Sequence, residues 1–262
     1  MSQRKQKFLN GEIYHIAARR IGDELLFKDI NDYYRGIFSI FEFNTIEPIL
    51  IRNRRKLRRK IYLVNKEEVG RGLTSANFSV SISDNLTVIQ STPQNPRDLL
   101  VEILGFCFMP NHIHLLVRQL KDGGISKFMQ KFGSGYAVYF KGKHNLQKKG
   151  YFFQNKFNSV HIETEDQLRN VFVYIHTNPA ALIESNWKEK GITNPKKVIK
   201  FLEEYKWSSY QDYIGKKNFP SVTKREWLLE IMGSAQGCKK SIDEWVKYKG
   251  EIREFGDLAL EN

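Results

Sequence analysis

Apolar and polar positions along this chain repeat with periods of about 2 and 3.6, and the changes of period mark out the elements. Glu12-Ile13-Tyr14-His15-Ile16-Ala17-Ala18 is short and β-prone, and predicts a strand. A helix follows, with Asp29 as N-cap, Asp32 in its first turn, and Ile37, Phe38 and Phe41 at helical spacing with Tyr33 and Tyr34. From Val101 to Val117 two apolar runs flank Met109-Pro110-Asn111, the pattern of a β-hairpin closed by a Pro-Asn turn. Phe128, Phe132, Tyr136, Tyr139 and Phe140 predict a helix from about Ser126 to Phe140, and Tyr151 to Ile162 holds a further strand. Thr164-Glu165-Asp166-Gln167 is a capping box. The helix it opens buries Leu168, Val171, Phe172 and Ile175, and is expected to stop at Asn178-Pro179, because proline disfavours a helical residue before it.

Beyond residue 180 the chain is polar and helix-prone. Lys196 to Tyr205 is one helix, Thr223-Lys224-Arg225-Glu226 reads as a second capping box ahead of Trp227, Leu228 and Ile231, and Ser241 to Lys249 is a third helical stretch. The segment from about Asn44 to Pro96 fits no compact element and ends in the turn-rich Ser91-Thr92-Pro93-Gln94-Asn95-Pro96, so it reads as an insertion. Without it the order is strand, helix, strand, strand, helix, strand, helix. That is the ferredoxin-like βαββαβ pattern of an α+β protein, an antiparallel sheet with helices on one face. The expected division is 1–180 for this domain, with the basic insertion at 44–96, and 181–262 for a helical extension.

Charge narrows the partner. Forty-two Lys and Arg against 29 Asp and Glu leave +13 over 262 residues, an excess that attracts polyanions. Arg52, Arg54, Arg55, Lys56, Arg58, Arg59 and Lys60 concentrate it in one run, either a solvated arm or one that grips phosphates. No apolar run approaches the roughly 18 residues of a membrane span, and the charged start lacks the apolar core of a signal peptide, so no membrane partner and a cytoplasmic location are expected, at the nucleoid if the source is bacterial. Cys107 and Cys238 are too few for a disulfide framework or a thiolate zinc site.

Two places could carry chemistry. His112 and His114 bracket Ile113 at a strand start, so both imidazoles point to one face with Cα atoms roughly 7 Å apart, within reach of one metal ion. Read from spacing alone, they are more simply polar residues on a solvated face, and the tight Pro-Asn turn with its apolar flanks is what favours the metal. On the helix opened by Thr164, Gln167, Tyr174 and Asn178 fall together at the edge of the core stripe. A phenol beside an amide oxygen could be a nucleophile beside a ligand, or a boundary tyrosine beside a capping asparagine.

Taken together these segments resemble a family. Met109-Pro110-Asn111-His112-Ile113-His114-Leu115-Leu116-Val117 looks like the HUH motif (histidine, hydrophobic, histidine) of one-tyrosine transposases. Tyr174-Ile175-His176-Thr177-Asn178-Pro179 looks like the nucleophile motif of their REP-associated tyrosine transposase branch. Tyr14-His15-Ile16, Phe27-Lys28-Asp29 with Asp32-Tyr33, Gly150 to Ser159, and Trp207-Ser208-Ser209-Tyr210 with Tyr213 extend the match. The long basic insertion and the tail after Tyr213 depart from it.

The resemblance implies an HUH nuclease fold and an enzyme that cleaves and rejoins single-stranded, hairpin-forming DNA. Tyr174 would attack a phosphate to give a 5′-phosphotyrosine. His112, His114 and Asn178 would hold a divalent metal, Mg²⁺ or Mn²⁺, with Gln167 as the substitute third ligand and His15 and His161 in reserve. Two imidazoles favour Mn²⁺, since Mg²⁺ prefers oxygen ligands throughout. Tyr136 and Tyr139 are rival nucleophiles whose spacing suits core packing. A homodimer stays open. So do two other readings: another HUH nickase (a rolling-circle initiator or relaxase), and a non-catalytic, domesticated nucleic-acid-binding protein.

Overall fold

The computed structural model describes residues 7–49, 97–147, 150–154, 156–185, 187 and 191–247. The chain divides into two units, Met1–Asn44 with Leu99–Asn262, and Thr45–Asp98. In the second unit a hydrogen bond from Ile46 N to Asp98 O (3.1 Å) joins the two described ends of the segment. The basic run from Arg52 to Lys60 lies outside the described residues.

The first unit is built on four antiparallel strands: β1 (Ile13–Arg19), β2 (Val101–Phe108), β3 (His112–Gln119) and β4 (Asn158–Ile162). Their order is β2-β3-β1-β4. The α+β, ferredoxin-like expectation therefore holds, except that helices cover both faces of the sheet and not one, because the helix that follows β4 packs on the second face. β1 and β3 are central and covered on both faces, so their apolar positions run on without a solvated side.

One face is covered by α1 (Ile30–Glu42) and α2 (Gly124–Lys143). Asp29 caps α1, accepting from the backbone N–H groups of Asn31 (2.9 Å) and Asp32 (3.1 Å). Close packing is dictated at Gly36, where an added Cβ would lie 2.6 Å from Phe108 and 2.8 Å from Phe27. On α2, Phe128, Phe132, Tyr136 and Phe140 form a fully buried stripe at four-residue intervals.

The opposite face belongs to α3 (Glu165–Thr177), whose capping box at Thr164 and Gln167 is present. Leu168, Val171, Phe172 and Ile175 are buried there with Ile13, Leu104, Cys107, Leu116 and Ile162 from the sheet. The helix ends at Thr177, as expected for a stop at Asn178-Pro179, but the conformation of Asn178 was not foreseen. It keeps helical angles (φ −48°, ψ −40°), and Asn178–Leu182 continues as a 3₁₀ turn. Proline there removes one N–H at the first position of a new turn, where no partner is needed.

Beyond it lie α4 (Pro195–Glu204), the single turn α5 (Tyr210–Tyr213), α6 (Glu226–Ile231) and α7 (Ala235–Lys247). Tyr205, Tyr213, Leu228, Met232 and Cys238 from this region join the core under α3. The same region covers the outer edge of β2. Phe108 N donates to Trp207 O (2.8 Å), Ser209 N to Phe106 O (3.0 Å), Lys224 N to Ile103 O (2.9 Å) and Tyr205 Oη to Phe108 O (2.7 Å). An edge strand that would otherwise offer unpaired backbone groups is thereby closed.

The expected capping box at Thr223 does not form. Thr223 Oγ1 accepts from the Arg225 guanidinium (2.9 Å), and the helix starts only at Glu226. The bond from Lys224 to β2 holds this backbone outside the helix.

Candidate active site

The hairpin tip fixes the first imidazole. Met109 N donates to His112 O (2.8 Å), closing the turn. Pro110 O accepts from Leu26 N (2.7 Å) and Phe27 N (3.0 Å), and Asn111 O from Arg20 N (2.9 Å). The turn carbonyls are thus tied to the segment between β1 and α1. His112 is the first residue of β3, and its Nδ1 donates to Asn111 Oδ1 (2.6 Å). A neutral imidazole protonated at Nδ1 carries its lone pair on Nε2, which is the form that ligates a metal.

His114 lies two residues on and on the same face, its ring centroid 4.8 Å from that of His112. Across the sheet Ala17 pairs with His114 and His15 with Leu116, so His15 shares this face one pair along. His15 Nε2 and His114 Nδ1 are 3.0 Å apart. Burial is nearly complete, at 0% exposure for His15, 1% for His114 and 8% for His112. Desolvation lowers the His15 pKa to about 3 and keeps the ring uncharged.

Tyr174 reaches the same place from α3. Its ring meets those of His114 (centroids 5.5 Å apart, 84° between planes) and His15 (5.7 Å, 74°) edge to face. Three side chains separated by as much as 159 positions in the chain therefore form one cluster between sheet and helix. One turn further on, Asn178 is 6% exposed, and its Nδ2 donates to Tyr174 O (3.0 Å). That bond leaves Oδ1 as the amide atom suited to a cation. Two imidazoles and an amide oxygen are donor types that suit a divalent ion.

The other candidates are committed elsewhere. Gln167 Oε1 accepts from Glu163 N (2.8 Å) and Thr164 N (3.4 Å) within the cap of α3. His161 pairs with Tyr14 on the opposite face of the sheet, bonds Glu12 Oε2 (2.9 Å) and stacks on Tyr14. Tyr136 is buried with its hydroxyl on Leu26 O (2.8 Å), and the Tyr139 hydroxyl meets Asp32 Oδ1 (3.1 Å). Both cysteines are buried, and burial pushes the Cys107 thiol well above its ordinary pKa.

Among the described residues, Asp29, Asp32 and His144 also cluster closely enough to hold an ion. Lys143 Nζ stands in that cluster, 2.6 Å from Asp29 Oδ1 and 2.8 Å from Asp32 Oδ1. The ammonium therefore offsets part of the charge of these two carboxylates at the start of α1.

Sequence reasoning assigned no task to His176. It is buried, with Nδ1 donating to Phe172 O (2.8 Å) and Nε2 accepting from Ser209 Oγ (2.8 Å), while Ser209 Oγ accepts from Phe106 N (2.9 Å). This chain of bonds ties α3 to β2. Its signal was the joint presence of His176 and Trp207-Ser208-Ser209-Tyr210, which spacing alone cannot link.

Fold and site together define an α+β protein of ferredoxin-like topology with a histidine–tyrosine cluster enclosed between sheet and helix. Residues 84–178 match the sequence model of the family described as transposase IS200 like, and this stretch contains His112, His114, Tyr174 and Asn178. A solved structure of a REP-associated tyrosine transposase bound to a REP hairpin aligns with 86% of this chain and 93% of its own, at 12% identity and a TM-score of 0.40. No curated protein sequence matches the chain.

Proposed function

We propose that this chain is a DNA transposase that cuts and rejoins single-stranded, hairpin-forming DNA through Tyr174. The observation that carries the reading is the contact of the Tyr174 ring with His114 and His15, which puts a phenol from a helix against the imidazoles of a sheet. The family match over 84–178 supports the same class of activity.

In the proposed reaction Tyr174 Oη attacks a backbone phosphorus. A new P–O bond to tyrosine forms and the P–O3′ bond breaks. The phenol gives up its proton and the departing 3′ oxygen takes one up to leave as a hydroxyl, so no proton is gained or lost overall. A 3′-OH then attacks the phosphotyrosine, reseals the DNA and returns the phenol. The phosphodiester energy stays in the covalent link, so no nucleotide triphosphate is consumed.

A phenol with an ordinary pKa of about 10 is a weak nucleophile at neutral pH, and placement against the phosphate offsets part of that handicap. His112 and His114 through Nε2, with Asn178 through Oδ1, would hold a divalent ion, Mn²⁺ before Mg²⁺ on ligand chemistry. When bound, such an ion supplies Lewis-acid withdrawal of charge from the phosphate. The Arg52 to Lys60 arm would grip flanking phosphates.

Incubating the protein with Mn²⁺ and end-labelled hairpin DNA tests this. Wild type should form a denaturant-stable adduct and a rejoined strand, and Tyr174→Phe should form neither. An undiminished adduct in Tyr174→Phe would reassign the nucleophile. Nicking without rejoining would move the chain to the rolling-circle initiators or relaxases.

A further inference from the structure

The geometry points to His15 as a positioning residue that accepts the Nδ1 proton of His114 and so holds the His114 lone pair on Nε2, facing the metal site. The inference rests on the proposed metal reading and adds a residue to it that touches no substrate.

The argument starts from the sheet. β1 and β3 are adjacent central strands whose register puts His15 one pair away from His114 on the same face. The two rings lie 24° from parallel, with Nε2 of one 3.0 Å from Nδ1 of the other. A bond at that distance between neutral imidazoles contains one proton. If the proton sits on His15, His114 is protonated at Nε2 and cannot ligate there. If it sits on His114 Nδ1, Nε2 is the ligand atom. A bound metal selects the second arrangement, and His15 is the acceptor that makes it available. His112 obtains the same tautomer from Asn111 Oδ1. Both imidazoles of the pair are thus set by an acceptor on Nδ1, one from the turn and one from the neighbouring strand. Such partners commonly change metal affinity 10–100-fold when removed.

His15 also meets the Tyr174 ring edge to face, so one side chain touches both a proposed ligand and the proposed nucleophile. Packing alone would account for a phenylalanine at this position, but not for a nitrogen aimed at His114 Nδ1.

Two variants separate these roles. His15→Phe keeps a ring against Tyr174 and removes the acceptor, while His15→Gln keeps an acceptor at similar reach. Mn²⁺ affinity is read by electron paramagnetic resonance, and the melting temperature is taken without metal. His15→Phe should bind Mn²⁺ roughly 10–100-fold more weakly than wild type, and His15→Gln should recover most of the loss. Equal Mn²⁺ affinity in wild type and His15→Phe overturns the inference and leaves the metal reading standing. Equal losses in both variants also overturn it. Failure of wild type to bind Mn²⁺ overturns the metal reading and this inference with it. A measurement on wild type needs no variant to fold: in the Zn²⁺-loaded, ¹⁵N-labelled protein, His114 should carry its proton on Nδ1, and a proton on Nε2 would contradict the inference.

Discussion

Single side chains in this protein are set by which nitrogen or oxygen has already been claimed. His176 shows the logic away from the site. Phe172 O fixes its proton on Nδ1 and the Ser209 hydroxyl occupies Nε2. Burial lowers its pKa from 6.5 to about 3 in the folded protein. Unfolding returns the ring to its ordinary value, so between these limits the unfolded chain binds a proton that the folded chain excludes. This contribution to stability is complete above the unfolded pKa and is lost as pH falls toward the folded one, by up to about 1.4 kcal/mol per pH unit. In urea unfolding between about pH 6 and pH 5, His176→Gln should therefore show a slope shallower than wild type by roughly 1 kcal/mol per pH unit. An unchanged slope would mean that the ring is not held neutral. The positions of His112, His114 and Tyr174 were readable because each lies in a short motif. The contact of His15 with His114 was not, because it exists only in the register between β1 and β3.

Elements were legible where their signals were local. The caps at Asp29 and Thr164 depend on residues within four positions, and both helices begin where those residues require. The box at Thr223 failed because a distant strand, through Ile103 O, took hold of the backbone that would have formed the first turn. Similarly, the strand expected from Tyr151 to Ile162 is confined to Asn158–Ile162, while Phe153 forms an isolated bridge with Arg20. Helix-to-sheet distance was also hidden, since a glycine in a helical pattern does not announce what it faces. Gly36→Ala should cost about 1–3 kcal/mol through overpacking against Phe108 and Phe27, measurable as a lower urea midpoint. A neutral result would show that α1 can move away from the sheet without loss.

For the whole molecule, the chain beyond residue 180 read as a helical extension, yet it supplies Tyr205, Tyr213 and Leu228 to the core under α3 and hydrogen bonds to the edge of β2. Charge pattern and periodicity reveal helices there but not what they cover. A chain ended after residue 180 would uncover both features, so it should aggregate or lose cooperative unfolding, as judged by size-exclusion chromatography and thermal melts. A soluble, cooperatively melting fragment would show the extension to be separable. The covered core in turn seats α3, and α3 brings Tyr174 to the imidazoles. The most direct test of that convergence is mass-spectrometric mapping of the covalent adduct formed with single-stranded DNA and Mn²⁺. The expected result is a nucleotide-bearing peptide modified at Tyr174, absent when His112 and His114 are both replaced by alanine. A modified residue other than Tyr174, or an adduct indifferent to the two histidines, would contradict it.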